Sequence, residues 1–197
     1  MRNLKYVVAL ALTLSPLALA GAQMGATAVT IAPGTMGDPA KATDAMLSMF
    51  EQEFTGVAKT MPADKFGFAP SAAIFKPEGG VKFDTVRTFG EQVKHVAQAN
   101  FYFYSAVSGL KPELDMKSIA GLKTKDEILD LLAKSFLFAH KAVATLTPAN
   151  AFQAIPPIDG MTTRITLATF GVAHGFDHYG QMVEYLRMNG LVPPGSK

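Results

Sequence analysis

Two histidines four residues apart, His174 and His178, lie in the stretch TRITLATFGVAHGFDHYGQMVEYLRMNG over 163–190. On an α-helix that spacing puts both imidazoles on one face, one turn apart, where both reach a single ion. Leu167, Gly171, Met182 and Tyr185 continue the stripe at steps of three and four, so the imidazoles are expected to point into a core. Two buried imidazoles without a shared ligand are costly, and a divalent metal is the usual resolution. The competing reading is a pair of hydrogen-bonded structural histidines, because HxxxH arises easily by chance on a helix.

The chain holds four histidines in all. His95, in TFGEQVKHVAQANF, is displaced by roughly 100° from Val96 around a helix, off the centre of the apolar seam. Small residues at Thr88 and Ala99 leave room beside it, so the pattern alone leaves both a ligand role and an ordinary helix-surface role open. His140, in SFLFAHKAV, reads as a hydrogen-bonded core or edge residue. Asp177 reads as a solvated carboxylate or one that orients a histidine. Gln181, one turn further on, reads as a polar contact at a cavity that Tyr102 and Tyr185 would also line. No catalytic residue is assigned. There is no nucleophile elbow and no phosphate-cradling glycine loop, and Gly175 stands where the glutamate base of a zincin would follow the first histidine.

Four helices are expected to position these groups. Asp38 caps and Pro39 begins the first, over 39–59, with Leu47, Phe50, Phe54 and Val57 as its seam. A long connection over 60–83 crosses an end of the bundle, pinned by Phe66, Phe68 and Phe75. Asp84 caps the second helix, 85–108, whose seam is Phe89, Val93, Val96, Asn100 and Phe103. Thr124 and Glu127 make a capping box for the third, 125–146, which is apolar nearly all round and therefore expected to be the most buried. The proline-rich loop AFQAIPPIDG leads to the fourth, 161–188, ended by Asn189-Gly190. With no strand pattern, the fold class is all-α, a four-helix bundle with long crossover connections.

Arg2 and Lys5 precede an apolar run over 7–20 and the small residues Ala18-Leu19-Ala20-Gly21-Ala22. The chain is thus divided into a signal peptide over 1–22, a flexible lead-in over 23–37 and the bundle over 38–194. The apolar run falls short of the roughly 20 residues that span a bilayer. Secreted or periplasmic localisation follows, with no stable membrane association after cleavage. Loss of Arg2 and Lys5 from the 18 Lys and Arg balances the 16 Asp and Glu, which argues against a nucleic-acid partner. With no cysteine, the chain has neither disulfides nor thiolate ligands, so a metal must be held by His, Asp, Glu or water. The expected partner is a small-molecule substrate, and a homodimer is left open.

A histidine in the second helix, followed much later by HxxxHYGQ in the fourth, resembles the DinB-like (damage-inducible) family of metal-dependent bundles. The resemblance covers about 38–194, and its most specific parts are 174–181 and 89–100. It implies a four-helix bundle of unusual connectivity. It also implies that His95, His174 and His178 hold one divalent metal ion, with water or substrate in the remaining positions. Three histidines suit zinc or nickel, and also iron or copper. The chemistry implied is a thiol-dependent transfer or a hydrolysis on a small molecule. A signal peptide departs from that theme, because such thiol cofactors are mainly cytoplasmic. The alternative is a non-catalytic or stress-related bundle whose metal only ties the second and fourth helices together. A closed fourth ligand such as His140 would favour it.

Overall fold

The computed structural model of the chain describes residues 31–71 and 82–196. The signal peptide, most of the lead-in and Phe75 lie outside the described residues. The chain divides into two units, and the larger, compact one runs from Met36 onward. In the short described part of the first, the Thr35 N–H donates to the Ala32 carbonyl and closes one turn.

The compact unit is built on α1 (Pro39–Thr60), α2 (Phe89–Ser108), α3 (Lys125–Val143) and α4 (Arg164–Met188). Local polar chemistry sets where each begins. The Asp38 carboxylate accepts from the N–H groups of Ala40 and Lys41, with Pro39 at the first helical position. Reciprocal capping boxes join Thr88 to Glu91 at α2 and Thr124 to Glu127 at α3. The α2 helix therefore starts at Phe89 rather than at 85. The Thr88–Glu91 box satisfies the free N–H groups of the first turn, and Asp84 falls in a preceding turn.

The proline-rich loop and the first turn of the expected fourth helix are instead an antiparallel hairpin of β1 (Ala154–Ile158) and β2 (Met161–Thr163). Its turn places Asp159 at φ 47° and Gly160 at φ 80°, the left-handed pair that a two-residue hairpin turn requires. Pro156 and Pro157 are tolerated because both strands of a two-stranded sheet are edges. Thr163 ends the hairpin and caps α4, so that helix begins at Arg164.

The core gathers the expected seams: Leu47, Phe50, Phe54 and Val57 from α1, and Phe89, Val93 and Val96 from α2, are all buried. They meet Leu132 and Phe136 from α3 and Leu167, Met182 and Leu186 from α4. The most buried helix is α2, not α3. Twelve of its 20 residues are buried against nine of 19 in α3, because α2 packs on both α3 and α4. On α3, Leu137 faces outward at 59% exposure.

Glycine decides how closely α1 meets α4. A Cβ built at Gly175 would stand 2.0 Å from the Phe50 ring, so any side chain there would displace that ring. Phe50 in turn packs on Phe136 and Phe176. Beyond α1, Phe66 is buried edge-on to Phe89 and Phe68 meets Tyr185, which pins the start of the long connection. Among the described residues no helix is long and apolar enough to cross a membrane.

Candidate metal centre

The α2 helix carries His95 and α4 carries His174 and His178, and the packing of these two helices brings the three rings together. His95 Nε2 lies 3.2 Å from His174 Nε2, and His178 Nε2 lies 3.3 Å from the same atom. The three nitrogens converge on one point within 4.8 Å of one another, and His178 is only 6% exposed. His95 thus joins the α4 pair although its Cα is off the apolar seam. Phe103 forms an aromatic wall, its ring edge-on to His174 at 5.4 Å.

A hydrogen bond to Gln92 sets the tautomer of His178. His178 Nδ1 is 2.6 Å from Gln92 Oε1, a pure acceptor, so the His178 proton sits on Nδ1 and its Nε2 is a lone pair. Burial pushes His178 down to about 4, helped by repulsion from His174 and His95. Burial also pushes His95 down to about 4, with the Arg87 guanidinium and His174 adding to the effect. His174 is lowered by burial as well, against partial opposition from Asp177 and Asp159. At neutral pH the three imidazoles are therefore uncharged.

This arrangement fits a cation. Three neutral rings bring their Nε2 atoms together, and His174 Nε2, whether as donor or acceptor, completes a good hydrogen bond with only one of its two neighbours. Close lone pairs without a shared partner are unfavourable in a partly buried site. On a tetrahedral ion with nitrogen ligands at about 2.0–2.1 Å, neighbouring nitrogens stand about 3.3 Å apart. The two spacings from His174 are of that size, so these three histidines lie close enough to hold a metal ion.

His140 lies elsewhere. Its Nδ1 is 2.5 Å from Asp44 and its Nε2 is 2.9 Å from Glu51, both carboxylates on α1. Burial alone would lower its pKa, but the hydrogen bonds and charges of Asp44 and Glu51 outweigh that and raise it. A fourth-ligand role for His140 is therefore not what the geometry provides.

Beside His95 opens a polar cleft of about 530 Å³, lined by Asp84, Arg87, Glu91, Lys94 and Gln98 among others. Tyr102, Gln181 and Tyr185, the expected lining, are not part of it. The Tyr102 ring lies tilted against Phe103 with 59% of the residue exposed, and the Tyr185 hydroxyl donates to the Arg87 carbonyl. Gln181 and Asp177 do act near the histidines, but at one remove. Gln92 Nε2 donates to Gln181 Oε1 at 2.8 Å, and Gln181 Nε2 donates to Asp177 Oδ2 at 3.0 Å. Gln92, at 2% exposure, is the residue that sequence reasoning misses. Its signal is present: it stands one turn before His95 and Val96, a glutamine on the buried face of α2.

No curated protein matches the chain. The family model of the DinB superfamily matches residues 46–182, a span that contains all three converging histidines and the larger part of the bundle. A match over that much of the sequence, on a mostly helical bundle with this histidine cluster, shows that the chain belongs to the DinB superfamily.

Proposed function

We propose that this protein holds one divalent metal ion through His95, His174 and His178 and acts on a small molecule by thiol-transfer or hydrolytic chemistry. The observation that carries this reading is the meeting of three uncharged imidazoles at their Nε2 atoms beside an open polar cleft. Zinc or nickel suits three neutral nitrogen donors, and iron or copper is compatible with them. When bound, such an ion lowers the pKa of a coordinated water or thiol and polarises an electrophile. The histidines contribute three neutral donors, which leave the ion its full charge and at least one open position. Arg87, Glu91 and Gln98 offer polar contacts to a compact substrate at the mouth of the site, and the near-neutral composition gives a polymer no charged track to follow. We further propose that the protein is exported after cleavage near Ala20 or Ala22.

The test is metal analysis of the purified and reconstituted protein, followed by turnover assays. One ion per chain is expected, lost in His95→Ala, His174→Ala and His178→Ala and kept in His140→Ala. The loaded protein is then screened with thiols and electrophiles, and separately with simple esters and amides. A coordinatively closed ion, or no turnover above free metal in both panels, would leave a binding protein whose metal ties α2 to α4. Export is checked by mass spectrometry of the protein from its native host, where an intact Met1 in a cytoplasmic pool would overturn it.

A further inference from the structure

We propose that Gln92, Gln181 and Asp177 form a positioning relay that holds His178 in its Nδ1–H tautomer and so keeps its Nε2 a lone pair aimed at the ion. The inference rests on the metal reading above and adds what keeps one of the donors ready. A neutral imidazole has two tautomers, and only the one with a bare Nε2 can ligate at that atom. Left to itself the ring would populate both.

The polarity of the relay is fixed from its outer end. Asp177, exposed on α4, is a carboxylate and can only accept, so the amide facing it must present its NH2. That places Gln181 Nε2 toward Asp177 and leaves Gln181 Oε1 facing Gln92. Gln92 must then present its own NH2 to Gln181, and its Oε1 is left facing His178 Nδ1. An oxygen at 2.6 Å demands the proton on Nδ1. Each amide passes the orientation inward by one bond, from a solvated charge to a buried ring. Reversing the outer end would turn both amides over, place an NH2 against Nδ1 and drive the proton to Nε2, where it would block the metal. Gln92 is buried in the α2–α4 seam, so bulk water does not stand in for it.

The experiment uses the full chain, first stripped of metal and then titrated with zinc ion alone. Imidazole nitrogen NMR reads the His178 tautomer of the stripped protein, and a competing chelator reads zinc affinity. Wild type is expected to show the Nδ1–H form. Gln92→Met removes the acceptor and should mix the tautomers and weaken zinc binding by about tenfold to a hundredfold. Gln92→Glu restores an acceptor for Nδ1–H and should return both readouts toward wild type. A purely packing role predicts the opposite order, because methionine fills the space while a buried carboxylate disturbs it. Asp177→Lys, at an exposed position that folding tolerates, puts a donor at the outer end and should shift His178 toward the Nε2–H form.

An Nε2–H tautomer in wild type would overturn the relay. So would a Gln92→Met protein with unchanged tautomer, or one that binds zinc as wild type does. If wild type binds no zinc at all, the metal reading fails alone, and the tautomer measurements on Gln92→Met and Asp177→Lys still decide the relay.

Discussion

Four histidines in one small bundle divide into two environments. At the α2–α4 seam three imidazoles face one another with no carboxylate among the converging atoms, and burial drives their pKa values down. At the α1–α3 surface a single imidazole stands between Asp44 and Glu51, and two carboxylates raise its pKa. His95, His174 and His140 are all half-buried, so depth alone does not explain the contrast. What faces the ring does. Rings that face rings stay neutral and are suited to a cation from outside, whereas two carboxylates favour the protonated form of the ring they face.

The most drastic way to break the first region without touching the second is from behind, at Gly175. Gly175→Ala must move the Phe50 ring, and overpacking of this kind costs about 1–3 kcal/mol or more. Zinc binding should fall with it, because the turn between His174 and His178 is displaced. A methyl group added at Gly180 would meet nothing within 4 Å, so Gly180→Ala should raise stability by up to about 1 kcal/mol through helix propensity alone. Calorimetric melting of the two variants checks the pair, and equal melting temperatures would show that Phe50 does not seat on Gly175.

Metal removal comes next in size. An ion that binds only the folded chain adds about 2.7 kcal/mol at a hundredfold excess over its Kd. Chelation should therefore lower the melting point of wild type and of His140→Ala alike and leave His178→Ala where it was. The stripped wild type should still melt cooperatively, since the seams from Leu47 to Leu186 are buried without help from a metal.

The pH dependence of the stripped protein should separate the two regions by sign. The folded His95 and His178 sit at about 4 against 6.5 when unfolded, so the unfolded chain binds more protons between those values. Their contribution is present above pH 6.5 and is lost as pH falls through about 4. His140 is raised in the fold, so its contribution is complete below 6.5 and is lost as pH rises through its folded pKa. Denaturant titrations across pH 4–9 should show His95→Gln flattening the acid limb and His140→Gln flattening the alkaline one.

The smallest effect belongs to the isolated clamp. The carboxylates of Asp44 and Glu51 are 46% and 39% exposed, so solvent screens the pairs with His140. His140→Gln should cost no more than about 1 kcal/mol at pH 6, and less in high salt. A cost comparable to that of Gly175→Ala would mean that the clamp organises the core.

Much of this contrast is legible in the chain itself, and the omissions share a cause. The apolar spacing of Leu47, Phe50, Phe54 and Val57, and of Leu167 through Tyr185, is dictated by burial on one helix face, and the helices form where that periodicity runs. Sequence alone starts the second helix four residues early because Asp84 competes with the stronger Thr88–Glu91 box, and periodicity does not choose between caps. The hairpin is hidden by Pro156-Pro157, although Asp159-Gly160 carries its turn chemistry. His95 and Gln92 depend on something that no local pattern contains, the relative placement of α2 and α4. A long side chain can leave its own helix's polar flank and still reach a neighbour's buried face. For His95 only the family resemblance supplies that information. Gln92, a buried polar residue whose partners lie 86 and 89 positions away, has no such support.

All three converging nitrogens come from two helices, and this has a topological meaning. His95 and His174 are 79 residues apart in sequence. An ion held by both would close that stretch into a ring, with the end of α2, all of α3, the hairpin and the start of α4 strung along it. Helix α1 would remain outside the ring as a free arm. Loss of α1 would leave the ring shut, whereas α3 could swing away from its neighbours but could not leave, tethered at both ends to the same metal.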